Sequence, residues 1–123
     1  MSARLSNAMR SMPSERVLKA LLDIQDNILL AEAWSAARSI EDLANDRMRL
    51  YAITRCLEII SEASRRLSPE VRQRHPHIAW RDMRDAGNIY RHDYDGLQER
   101  IVLETVRSSL PQLKAVVAAE IEL

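Results

Sequence analysis

A chain of 123 residues with 46% hydrophobic side chains, 29% charged ones and two glycines is long enough for one domain with its own core. Its profile is that of a helix-rich globular protein and excludes disordered and disulfide-scaffold classes. The formal net charge is zero, which excludes bulk electrostatic attraction to nucleic acid as the basis of function.

The lone cysteine, Cys56, has no internal disulfide partner, and no apolar run approaches the roughly 20 residues of a membrane span. Met1 to Pro13 holds no apolar export core, so a cytoplasmic location is expected. Residues 1–13 are expected to form a loosely ordered arm. Ser14 is an N-cap residue ahead of Val17, Leu18, Leu21, Leu22, Ile28 and Leu29 on one stripe, which predicts a helix from Ser14 to about Ala33. Ser39, with Asp42 three residues on, caps a short helical turn over Ile40 to Leu43. After Asp46, the positions Leu50, Ile53, Leu57, Ile60, Ser64 and Leu67 alternate spacings of three and four. That rhythm is the seam of a helix packed nearly antiparallel to a neighbour, and Cys56 within it reads as a small buried hydrophobe.

Ser68-Pro69 ends that helix and starts a turn over Val71 to His75, and His75-Pro76-His77 interrupts the pattern again. Trp80 opens a third helix carrying Met83, Ala86, Gly87 and Tyr90, expected to end near Asp95-Gly96 at a left-handed glycine. The fourth helix carries Leu103, Val106, Leu110, Leu113 and Val117, and Pro111 should kink or split it near Ser109. The expected architecture is an all-α antiparallel four-helix bundle with short extra helical turns, one domain over residues 1–123. The seams of the second and fourth helices offer apolar stripe for a homodimer, unless one contiguous core absorbs both.

Charge is unevenly distributed. Residues 65–92 carry seven basic and three acidic side chains, against eight and nine in residues 1–64 and three and six in residues 93–123. The basic segment contains Arg65, Arg66, Arg72, Arg74, Arg81, Arg84 and Arg91 and all three histidines. Its plain reading is a solvated arginine face; contact with RNA, through Arg81 and Arg84, requires the arginines to converge. His75 and His77 are two apart around a proline, a spacing that suits no helical metal pair, so no metal site is expected. No P-loop, dinucleotide turn or nucleophile elbow is present, and no cofactor is expected.

Arg84, Asn88 and His92 follow one another at four-residue spacing and share one helical face, drifting about 40° per step. Such a strip suits RNA cleavage without metal. Histidine moves a proton to or from the ribose 2′-hydroxyl or the leaving oxygen, and arginine stabilises the charged phosphorane. Acid and base are needed together, so a two-fold dimer bringing both copies of His92 to one cleft completes the chemistry. The competing structural reading is that Asn88 and His92 bond the helix end while Arg84 makes local ion pairs.

Several phrases resemble the HepT-like branch of the HEPN superfamily: Leu57-Glu58-Ile59-Ile60-Ser61-Glu62-Ala63, Arg66-Leu67-Ser68-Pro69, His75-Pro76 with Ile78 and Trp80, Gly87-Asn88 with His92-Asp93-Tyr94, and Leu110-Pro111-Gln112-Leu113. The resemblance spans most of the chain. It implies a dimeric helical-bundle toxin acting as a metal-independent endoribonuclease, with His92 as general acid or base. It also implies a partner, a minimal nucleotidyltransferase antitoxin that adenylylates the tyrosine two residues after the histidine, here Tyr94. The family's signature is an arginine, four to six residues, then histidine. Here Gly87 occupies the arginine position, leaving Arg84 and Arg91 as its possible replacements. The alternative implied by that departure is a noncatalytic helical module that binds the nucleotidyltransferase.

Overall fold

The computed structural model describes residues 14–90 and 97–122, with the main chain alone at 86–90. All regular structure among these residues is helical: α1 (Glu15–Ser35), α2 (Ile40–Ala44), α3 (Arg47–Ser64), α4 (Pro69–Arg74), α5 (Trp80–Tyr90), α6 (Leu97–Glu104), a π-helical turn (Thr105–Ser109) and α7 (Leu110–Glu122). The expected N-terminal arm and the glycine cap at Asp95-Gly96 lie outside the described residues.

Helix starts follow the predicted capping chemistry. Ser14, Ser39 and Ser68 each accept a hydrogen bond from a main-chain N–H of the first turn, at 3.2, 3.0 and 3.3 Å. At Ser39 the box is complete, because the Asp42 carboxylate accepts from the Ser39 N–H at 2.9 Å. Pro69 occupies the first turn of α4, where a missing N–H costs nothing.

The α3 seam is buried as its spacing requires: Leu50, Ile53, Leu57, Ile60 and Leu67 all lie in one hydrophobic cluster with Leu103, Val106, Leu110, Leu113 and Val117. One core therefore absorbs both seams, and neither is left over for a second copy. Ser64, fully buried in that seam, donates its hydroxyl to the Ser61 carbonyl at 2.7 Å. Thr54 donates to the Leu50 carbonyl at 2.7 Å and accepts from Gln98 Nε2 at 3.2 Å, which satisfies a buried polar pair between α3 and α6.

Helix α1 departs from the expected stripe. Its buried face is Val17, Ala20, Leu21, Ile24, Ile28 and Ala31, whereas Leu22 and Leu29 are exposed. The fully buried small residues Ala20 and Ala31 lie on the inner face with Leu21, Ile24 and Ile28, which leaves Leu22 and Leu29 on the other side of the helix. Arg66 after α3 pairs with Asp23 of α1 at 2.9 Å, and Arg49 at the start of α3 donates to the Trp34 carbonyl near the end of α1 at 3.0 Å. The two helices therefore run antiparallel.

The fourth expected helix is split where Pro111 requires it, and the form of the split is a π turn. The Leu110 N–H bonds the Thr105 carbonyl, five residues back, and α7 begins there. Pro111 has no N–H for the carbonyl four residues earlier and its ring would press on that carbonyl in a regular helix; a wider turn gives the ring room.

Between α1 and α2, Ala37 has φ 58°, a conformation that costs an L-residue about 1–2 kcal/mol. The bend is held on both sides, by Arg49 on the Trp34 carbonyl and by Arg107 on the Arg38 carbonyl. Ala37→Gly removes the Cβ clash and is expected to raise stability by about 0.5–1 kcal/mol, read as an increase in the urea midpoint at constant slope.

Candidate functional site

The candidate strip depends on how α5 is fixed, and two anchorages fix it. The first is at its start. Glu120 of α7 is only 4% exposed, yet it is ionisable, and three bonds from the last residue of α4 and the residue after it compensate it. Arg74 donates from Nε at 3.1 Å and also from Nη2, and His75 Nε2 lies 2.8 Å from the same carboxylate. His75 in turn accepts, on its main-chain carbonyl, the Trp80 indole N–H at 2.9 Å. A buried carboxylate thus sets the first residue of α5. Burial pushes the Glu120 carboxyl up, but the bonds from Arg74 and His75 outweigh it and hold the group below its ordinary value of 4.5.

The second anchorage is one turn further on. The main-chain carbonyl of Arg84 accepts from Ser61 Oγ at 3.0 Å and from Arg65 Nη2 at 2.8 Å, both extended from α3. Trp80 and Met83 pack on the core from the same side of α5. In helical register Gly87 follows Met83 by four positions and Arg84 by three.

The predicted site residues fall into three groups. Arg81 is exposed. Arg84 is half-buried, and its Nε is buried without a hydrogen-bond partner, as is Glu99 Oε2. Arg84 makes no ion pair among the described residues. Asn88 lies on α5 one turn beyond Arg84, a rise of about 6 Å. Arg91, His92 and Tyr94 lie outside the described residues.

The basic segment does not converge as a whole. Arg66 is paired with Asp23, Arg74 with Glu120, and Arg72 donates to the Leu67 carbonyl at 3.2 Å. These three arginines hold the fold together. Sequence reading missed the groups that position α5, Ser61, Arg65 and Glu120, because their partners lie 23, 19 and 45 to 46 residues away and no local pattern announces such pairs. His75 bonds a carboxylate, and no group of three metal-ligating side chains occurs among the described residues. Cys56 is buried in the core, and burial pushes its thiol above the ordinary value, as expected of a packing residue. Among the described residues no helix is long and apolar enough to cross a membrane.

Comparison with known proteins decides the family. The model of the family described as "Ribonuclease HepT-like" matches residues 24–120. The chain belongs to the HepT-like family. A HepT-like relative from Thermococcus cleftensis, named "Probable ribonuclease HepT", is 35% identical over 94 residues, covering 76% of this chain and 86% of the relative. Two proteins of Methanocaldococcus jannaschii, each named a "Putative RNase", are 31% and 27% identical over 82% and 84% of this chain and 94% and 85% of their own length. No solved structure gives a significant match. The HepT-like match contains both anchorages of α5 and the whole strip from Arg84 to His92.

Because the Glu120 carboxyl is held below 4.5 in the folded chain, its contribution is complete above that pH and is lost as pH falls through the folded value. Glu120→Gln is expected to cost about 2–3 kcal/mol at pH 7. It should also flatten the acid limb of the stability profile below pH 4.5, as measured by denaturant unfolding across pH.

Proposed function

We propose that this chain is a metal-independent endoribonuclease of HepT type, the toxin of a toxin–antitoxin pair. The observation that carries the reading is the motif Gly87-Asn88 followed by His92-Asp93-Tyr94 inside a matched region whose relatives are named as ribonucleases. His92 acts as the general acid or base. A cytoplasmic homodimer supplies the second copy, so that one imidazole takes the 2′-hydroxyl proton while the other protonates the leaving oxygen.

Arg84 replaces the arginine absent at Gly87. Support comes from its half-buried guanidinium, which lacks a carboxylate among the described residues, and from the glycine three positions on, which leaves space on the adjoining face. A cation kept without a counter-charge stabilises the dianionic phosphorane more than a neutralised one. Arg91 and Arg81 contribute to binding the phosphate backbone, Asn88 orients the scissile phosphate, and the partner nucleotidyltransferase silences the toxin by adenylylating Tyr94.

The second reading is a noncatalytic module that binds the nucleotidyltransferase, favoured by one observation, Gly87 at the arginine position. Expression of the wild-type chain is expected to arrest growth with RNA degradation, and His92→Ala to abolish both. Arg84→Ala is expected to lower purified cleavage by about 100-fold or more, with the far-ultraviolet dichroism unchanged. Harmless expression of both wild type and His92→Ala, with partner binding intact, selects the module instead. Coexpression with the nucleotidyltransferase should add an adenylyl mass increment that Tyr94→Phe eliminates.

A further inference from the structure

A cleft of about 380 Å³ opens between the middle of α3, the start of α5 and the π turn. This volume is in the range of small-ligand sites. Its floor is apolar, built from Leu57, Ile60, Ile78, Met83, Ile101 and Leu110. Its rim is polar, with His77 and Asp82 on one side and Ser108, Ser109 and Gln112 on the other. The π turn that relieves Pro111 is what presents Ser108 and Ser109 here, and both are exposed. Ser61 belongs to the cleft and to the second anchorage at once, since it lines the one and donates to the Arg84 carbonyl in the other.

The lining determines what fits. No lysine or arginine is among the lining residues, and the one carboxylate is Asp82, so a phosphate or other anion is excluded from the interior. A wholly apolar guest would bury the rim hydroxyls, the Gln112 amide and the Asp82 carboxylate without partners. What remains is a planar, uncharged ring with a hydrogen-bonding edge. His77 offers a face for stacking, Gln112 both donates and accepts, and Asp82 only accepts. An acceptor-only group on the rim selects an edge rich in N–H donors.

We infer that this cleft is a base-recognition subsite for the RNA substrate, taking a nucleobase with an exocyclic amino group in preference to uracil. The inference rests on the ribonuclease reading and deepens it by naming what the substrate presents beside the cut. Asp82 and Met83 precede Asn88 by six and five residues, a rise of roughly 7–9 Å along α5. Met83 of the floor and Arg84 are neighbours on α5, about 100° apart around the helix, so a strand laid across α5 there places a base in the cleft while its backbone passes Arg84. The base enters between the two α5 anchorages, where the helix is held most firmly.

The test uses the full-length His92→Ala chain with labelled isoleucine and methionine methyls, titrated with 2′-O-methyl oligo(A) and oligo(U) of equal length. Oligo(A) is expected to shift the methyls of Ile60, Ile78, Met83 and Ile101 and to bind about tenfold tighter than oligo(U). Asp82→Asn should bring the two affinities together, and Ser108→Trp, at an exposed position, should fill the cleft and abolish the methyl shifts. Silent floor methyls overturn the inference, as does equal binding of the two oligomers. So do floor methyls that move with protein concentration instead, which would place a second copy in the cleft. Floor shifts in a chain whose wild type cuts no RNA would retain the subsite and remove the nuclease reading; cleavage with silent floor methyls would do the reverse.

Discussion

The antiparallel contact of α1 with α3 is the constraint from which the remaining geometry follows. Leu21, Ile24 and Ile28 of α1 and Ile53, Leu57 and Ile60 of α3 lie in one cluster with the small residues Ala20 and Ala31, with almost no solvent exposure. Full burial of one such side chain stabilises the fold by about 1.5–3 kcal/mol, so this pair of stripes outweighs any single polar tie. The ion pair and carbonyl bond at the two ends of the contact set its sliding register, and α3 then offers its other sides to α5 and α6.

What α3 offers to α5 adds directed polar bonds to the apolar packing of Trp80 and Met83, and that difference has functional weight. Apolar packing tolerates small rotations of a helix, whereas a carbonyl gripped by Ser61 and Arg65 does not. The Glu120 carboxylate does the same at the other end through Arg74, His75 and Trp80. The strip proposed on α5 requires close placement, and directional bonds at two points of an 11-residue helix fix a helix more tightly than apolar packing alone.

Much of the fold was legible because its signals are local. The serine caps, the proline at the first turn of α4 and the three-four rhythm of α3 each depend on residues within a few positions of one another. The breakdown at Leu22 and Leu29 has a different origin: α1 is apolar on several sides, and only the alanines, read against a partner helix, reveal which side is inner. Pro111 announced a break but not a π turn, since a kink, a split or a wider turn can each relieve its missing N–H and crowding ring. In the candidate site, the strip from Arg84 to Asn88 was visible as periodicity. The competition for the arginines was not: Asp23 and Glu120 lie 43 and 46 residues from the partners they neutralise.

Arg84 also makes the folded state incomplete in a thermodynamic sense. Its Nε is buried without a hydrogen-bond partner, and no carboxylate pairs with it among the described residues, so an anion bound there would supply a partner that the folded chain does not. By linkage, whatever anion settles there raises the population of the native chain as it saturates. Stability and occupancy would then be two readings of one equilibrium.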